Sequence, residues 1–252
     1  MIVLSLFDGM ACGYEALKRA GIPVTKYYAS EIDKYAIQIA KKNHPDIVHL
    51  GDVEAWYSWD IPKPDLIIGG SPCQGFSFAG KQLNFNDPRS RLFFDMIDIL
   101  DFFEPEFYLL ENVRMKKEHL DIITREMKVE PHFINSALVS AQNRPRFYWY
   151  NWRAEDPEDK KLFLRDIIEN KNLEVTGGAI RGRYTTSGAI KQVLELQKNG
   201  KANAITTVQK DSLCVMVGVA DNISGHDILK RIYDIKGKCP ALTAGGGGNH
   251  DT

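Results

Sequence analysis

Cysteine is scarce in this chain of 252 residues. The four cysteines, Cys12, Cys73, Cys214 and Cys239, stand far apart with no CxxC pair among them. That scatter argues against a disulfide framework and a structural zinc site. A reducing, cytoplasmic setting with no metal is therefore expected. Long apolar runs are also missing, since none reaches the roughly 20 residues needed to cross a bilayer. The opening MIVLSLF is apolar but has no basic leader and runs into Asp8 and a glycine turn. It reads as a buried first strand, not a signal peptide, and no membrane association is expected. Charge of one sign is lacking too. The net charge of −1 points by itself to no polyanionic partner. Its distribution says more: residues 180–252 carry ten Lys/Arg against six Asp/Glu, and the remainder 22 against 27. Any phosphate-binding surface is expected in the C-terminal part.

What is present is an ordinary globular composition, 44% hydrophobic and 26% charged, in an ordered alternation. MIVLSLF, VTKYYASE, DIVHLGD, DLIIGGSP and EFYLLENV read as strands. YEALKRAG, KYAIQIAKKNHP and RSRLFFDMIDILDFF read as helices between them. Such βαβ units predict a mostly parallel sheet covered on both faces, with ligands at the carboxyl ends of its strands. Near residue 132 the pattern changes. HFINSALVSA and RFYWYNW, separated by the polar QNRP, predict a hairpin that closes the sheet. A first domain is thus expected over residues 1–153. The turn-rich stretches beyond it, ENKNLEVTGG and GRYTTSG among them, predict a smaller irregular domain over 154–252.

Polar residues collect at the expected strand ends. Phe7-Asp8-Gly9-Met10-Ala11-Cys12-Gly13 is a glycine turn between strand and helix, where a backbone can approach a ligand and a helix N-terminus favours negative charge. A tight turn with no ligand accounts for it equally well. Glu31 ends the second strand, where a carboxylate in doubly wound folds meets ribose hydroxyls. Asp52 ends the third, where it can accept from an adenine amine or merely cap a helix. Cys73 sits in GGSPCQGFSFAGK, leaving a buried strand in a glycine-rich loop. Such a thiol is either an activated nucleophile or a small buried hydrophobe. Glu111, in ENV, follows buried leucines and can serve as a proton donor if burial raises its pKa. In QNRPR, Arg144 and Arg146 lie two apart and share a face if the segment is one extended strand.

The ordered set FDGMACG, SEID, GDV, SPCQGFS, ENV and QNRPR resembles the DNA cytosine-5 methyltransferase family over residues 1–150. The resemblance implies an α/β, Rossmann-like S-adenosylmethionine-dependent methyltransferase domain with a small target-recognition domain. It implies methyl transfer from S-adenosyl-L-methionine to C5 of cytosine in double-stranded DNA, with S-adenosylhomocysteine as product. Cys73 would be the nucleophile adding to C6 of a flipped-out base. Glu111 would contact N3 and the exocyclic amine, Arg146 the base, and Gln142 and Arg144 would hold the site. Phe7, Asp8, Gly9, Gly13, Glu31, Ile32, Asp52, Val53, Pro72 and Leu92 would form the cofactor pocket. Gln74, Gly75, Ser77, Lys81 and Arg89, in and after a closing loop, would meet DNA, with Thr207-Val208 supporting the strand around the flipped base. A bacterial restriction–modification system or a phage, acting at the nucleoid, is the implied setting.

Two family segments do not follow, one like RxLTxxExxRLQGFP and one like GNSV. A chain that is either split, with a second polypeptide supplying them, or truncated is therefore expected ahead of an unusual minimal enzyme. Two other functions compete. A cytosine methyltransferase acting on transfer RNA shares the motifs, and a DNA-binding subunit without catalysis shares the fold. A nicotinamide dehydrogenase fits the strand pattern alone and leaves SPCQ and ENV unexplained.

Overall fold

In a computed structural model of the chain, the described residues are 1–72, 88–169, 175–186, 189–204, 210 and 212–216, with the side chains of 88–90 and 216 left out. The first unit contains β1 (Ile2–Leu6), α1 (Cys12–Arg19), β2 (Lys26–Ser30), α2 (Lys34–Asn43), β3 (Val48–Gly51), β4 (Leu66–Gly69), α3 (Pro88–Phe103), β5 (Phe107–Val113) and α4 (Lys117–Met127). After these come β6 (His132–Asn135), β7 (Gln142–Asn143) and β8 (Pro145–Tyr150). Seven strands form one sheet in the order β3-β2-β1-β4-β5-β8-β6. The neighbours from β3 to β5 run parallel, and β8 runs antiparallel to β5.

Each half of this arrangement follows from the side-chain pattern. A parallel strand covered on both faces must be apolar at successive positions. Along β1 and β4, alternate residues enter different cores. Leu4, Leu6 and Ile67 pack with Phe93, Met96 and Ile99 of α3 and Ile123 of α4. Val3 and Leu66 pack with Tyr27, Ala29 and Ala40 on the opposite face. The α4 helix buries His119, Ile123 and Met127, spaced four apart along one stripe. Asp33 starts α2 by accepting from the Tyr35 and Ala36 N–H groups, both at 2.8 Å. Because β1 lies between β2 and β4, chain order reverses there, the place at which sheets of this kind take ligands at their carboxyl ends.

The chain divides into two compact units. One is Met1–Ile134 with Pro145–Glu155, and the other is Asn135–Arg144 with Asp156–Thr252. The link between the two hairpin strands is therefore more than a polar turn. The described part of the second unit holds α5 (Leu164–Ile167), β9 (Val175–Tyr184), β10 (Ile190–Leu196), β11 (Ala202–Asn203) and β12 (Leu213–Met216). Strands β10, β9 and β12 form an antiparallel sheet, and β11 pairs in parallel with β7.

One expectation is corrected here. VTGG and GRY read as turns in the sequence, yet both lie within the long strand β9. The glycines answer to close approach instead. A Cβ on Gly177 would lie 2.2 Å from the Lys201 carbonyl oxygen, and one on Gly178 would lie 2.8 Å from Val215.

Candidate active site

The loop after β1 is tightly wound. Phe7, Gly9 and Ala11 all take left-handed backbone angles, with φ of 57°, 62° and 64°. Gly9 takes that angle without a Cβ penalty, whereas Phe7 and Ala11 are held there by their surroundings. Asp8 is buried between them. Its N–H donates to the Ser30 carbonyl at 3.1 Å, and its Oδ1 accepts from the Tyr27 hydroxyl at 2.7 Å. Its Oδ2 is buried with no hydrogen-bond partner among the described residues. Burial pushes the Asp8 carboxyl above the ordinary carboxylate range, against hydrogen bonds from Ser5 and Tyr27.

Glu31 joins this loop to the next. Its Oε2 accepts from the Gly9 N–H at 2.8 Å, and its Oε1 accepts from the Ile32 and Asp33 N–H groups, each at 2.8 Å. Asp52 caps the short 3₁₀ helix Val53–Ser58 by accepting from the Glu54 N–H at 3.0 Å. Val53 is buried, and Ile32 is 72% exposed. Leu92 lies half-buried on α3 against the larger core. Gly13 has a packing reason of its own, because a Cβ there would lie 2.3 Å from Cδ1 of Ile68. The residue before α1, Ala11, offers no side-chain cap, so the helix's first N–H groups have no capping side-chain oxygen.

The ends of β4 and β5 come together. Asn112, 1% exposed, donates through Nδ2 to the carbonyl and hydroxyl oxygens of Ser71, at 3.5 and 3.3 Å. A Cβ on Gly70 would lie 3.4 Å from Oε2 of Glu111. The Glu111 carboxylate therefore stands beside the Gly70-Ser71-Pro72 segment. Its Oε1 is 2.8 Å from Nε of Arg146. That contact is an ion pair whose angle is not that of a hydrogen bond, since Nε has no hydrogen-bond partner among the described residues. The register explains the meeting. Glu111 faces Tyr148 and Val113 faces Arg146 across the β5–β8 ladder, so Glu111 and Arg146 are diagonal neighbours on one face.

QNRPR is not one extended strand, which corrects the shared-face expectation for its two arginines. Gln142 and Asn143 pair with β11, Arg144 falls between strands, and Arg146 pairs with β5. Gln142 and Arg144 belong to the second unit and Arg146 to the first. Cys73, Gln74, Gly75, Ser77, Lys81, Thr207 and Val208 lie outside the described residues. Arg89 lies on the α3 backbone, with its side chain likewise outside them.

Three residues that sequence reasoning passed over emerge here. Asn112, within ENV, fastens the segment leading to Cys73. Asp95 is buried in α3 with Oδ2 lacking a partner among the described residues. Burial raises its pKa, opposed by Arg91 and aided by Glu54, Asp98 and Asp52. A lone aspartate in the apolar RLFFDMI was the readable signal. His49 keeps both ring nitrogens buried without hydrogen-bond partners among the described residues. Burial and then Lys41 lower its pKa, against Asp8. Among the described residues no group of three or more His, Cys, Asp or Glu is placed to hold a metal, and no helix is long and apolar enough to cross a membrane.

A sheet with this strand order, and with its polar residues gathered on the carboxyl edge, defines a Rossmann-like α/β protein of the methyltransferase class. A family model for C-5 cytosine-specific DNA methylase matches residues 1–230. The chain belongs to that family. It is 27% identical over 344 residues to the orphan methyltransferase M.Rho11sI of Bacillus phage rho11s, an alignment covering 99% of this chain and 68% of the relative. It is 32% identical over 216 residues to the Type II methyltransferase M1.ScrFI of Lactococcus lactis subsp. cremoris, covering 75% and 53%. It is 34% identical over 181 residues to the Type II methyltransferase M.NlaIV of Neisseria lactamica, covering 67% and 41%. The chain thus spans between 41% and 68% of the length of these relatives. Nothing in these comparisons supports a second polypeptide.

Proposed function

We propose that the chain transfers a methyl group from S-adenosyl-L-methionine to C5 of cytosine in double-stranded DNA, through a covalent bond between Cys73 and C6. The observation that carries this reading is the Glu111–Arg146 pair beside Gly70 and Ser71, at the end of the strand that leads into Pro72-Cys73. The first unit carries Cys73, Glu111 and Arg146, and the second carries target recognition together with Gln142 and Arg144, which support the reaction.

The carboxyl edge suits the cofactor. Asp8 presents a buried carboxylate oxygen with no partner among the described residues, and α1 begins without a capping side chain. Asp52 ends β3 and Ile32 is exposed after β2, in places that suit an adenine amine and an adenine face. Glu31 suits the ribose hydroxyls through Oε2, which accepts only the Gly9 N–H and keeps a lone pair beyond it. When bound, the cofactor supplies an electrophilic methyl group on sulfur.

The protein's own residues do the rest. The Cys73 thiolate attacks C6 and breaks the 5,6 double bond, which makes C5 enamine-like. Glu111 donates a proton at N3 as that bond forms, and Arg146 holds the carboxyl group in place. After C5 is alkylated, a base removes its proton, the electron pair restores the 5,6 double bond, the thiolate leaves C6, and N3 returns its proton to Glu111. Sulfur suits a nucleophile that must also depart. The target base lies inside the duplex and must first be flipped out, at a cost of a few kcal/mol.

A duplex carrying 5-fluorocytosine tests the reading, because fluorine at C5 cannot leave as a proton and the adduct is trapped. With S-adenosylmethionine, the chain should give a denaturation-resistant complex that Cys73→Ser does not give. An adduct with Cys73→Ser, or methyl transfer to transfer RNA but not to the duplex, would overturn it.

A further inference from the structure

Lys201 is 7% exposed, a rare degree of burial for lysine. Its ammonium group has three protons and meets three acceptors, the main-chain carbonyls of Ala137 at 2.8 Å, Ser140 at 3.1 Å and Leu162. The Phe163 ring lies 4.9 Å from the same nitrogen. Two of those carbonyls belong to the segment Asn135–Arg144, which carries Gln142 and Arg144. The residues that follow extend the attachment. The Ala202 N–H donates to the Ala141 carbonyl at 2.7 Å, and Ala202 and Asn203 pair with Gln142 and Asn143. From within the segment, Asn135 Oδ1 accepts from the Ala137 N–H at 3.1 Å and the Arg144 N–H at 3.0 Å, and its Nδ2 donates to Asn143 Oδ1 at 2.8 Å.

Main-chain carbonyls partly withdrawn from water need donors that the fold supplies. Here one cation satisfies three, drawn from two stretches of chain. We infer that Lys201 is a positioning residue for methyl transfer: by holding Ala137 and Ser140 it fixes the backbone that carries Gln142 and Arg144. This rests on the proposed function, in which those two residues serve the catalytic site. A misplacement of about 1 Å in such a support costs on the order of a hundredfold in rate.

The test is a double-mutant cycle in the full chain with Lys201→Met, Arg144→Ala and both together, measuring methyl transfer to duplex DNA. Lys201→Met should lower kcat by on the order of a hundredfold with KM for the duplex little changed. The double variant should lie within about twofold of the slower single variant. Amide hydrogen exchange at Gln142 and Asn143 should accelerate in Lys201→Met. Multiplying losses, a raised KM at unchanged kcat, or unchanged amide protection would each overturn the inference. Should Lys201→Met fail to fold, Asn135→Ala loosens the same segment and should show the same non-additivity with Arg144→Ala. Absence of methyl transfer by the unmodified chain would instead sink the functional reading beneath it, while the amide exchange still reports on the tether.

Discussion

Breaking the Glu111–Arg146 pair should separate what it does for the fold from what it does for chemistry. The two side chains are 28% and 14% exposed and 2.8 Å apart. At an effective dielectric near 20, the attraction is about 6 kcal/mol before desolvation, which cancels most of it. Removing one partner therefore costs more than the pair contributes net. Arg146→Met should destabilise the protein by about 1–3 kcal/mol, because Glu111 loses the guanidinium it was desolvated beside. Each kcal/mol corresponds to a fall of about 2–4 °C in Tm for a unit of this size. Glu111→Gln should cost less, since the amide keeps the shape and an oxygen toward Arg146. The double variant should be more stable than the two losses added together imply, with a coupling of about 0.5–3 kcal/mol. Urea unfolding followed by circular dichroism measures all four corners of the cycle. Methyl transfer should follow another order: Glu111→Gln, mild in stability, should lose about 10²–10⁴ in rate as the proton donor disappears. Additive stability losses would refute the coupling. A Glu111→Gln enzyme of ordinary rate would refute the proton-donor role.

Gly13→Ala should destabilise although alanine favours helix by about 1 kcal/mol, because the new methyl meets Cδ1 of Ile68 at 2.3 Å. Adding Ile68→Val removes that carbon and should recover part of the loss by thermal unfolding; a double variant no better than the sum would count against the packing explanation. For Asp8, whose pKa burial raises, the native state holds its proton to higher pH than the unfolded chain does. Its stabilising contribution is full below about pH 4 and is lost as pH rises through the raised native value. Asp8→Asn should therefore gain stability relative to the parent as pH climbs from about 4 to 7, and parallel urea midpoints across that range would contradict the assignment.

The parallel half of the sheet was legible because a strand covered on both faces is written as a continuous apolar run. DLIIGG became β4, with Leu66 and Ile67 entering opposite cores. The polar residues at the strand ends were legible because each closes an apolar run. Less was readable where a residue's role depends on a distant backbone. Gly177 and Gly178 look like turn residues until Lys201 and Val215 are seen against them. The stripe His119-Ile123-Met127 carried α4 plainly in its spacing of four, but it lies between two louder motifs, ENV and QNRPR. His49 gave no signal, since an imidazole in a short strand looks the same whether or not it is buried beside Asp8.

QNRPR shows most clearly that a contiguous motif need not share its ladder partners. Its five residues look like one strand, and two arginines two apart look like one face. The ladder partners decide otherwise. Gln142 and Asn143 take theirs from β11, far along the chain, whereas Pro145–Tyr150 takes its partners from β5. Arg144 is the residue at which one set of partners gives way to the other. No local propensity encodes such a break, because both halves favour extended backbone and differ only in which neighbour completes their hydrogen bonds. If the motif serves one reaction, its two arginines answer to different cores. Arg146 is held by the packing that builds the sheet, and Arg144 by the carbonyl contacts of Lys201 and the side chain of Asn135. Substitutions far from cytosine in the second unit should then change the rate through Arg144 while leaving the Glu111–Arg146 pair intact.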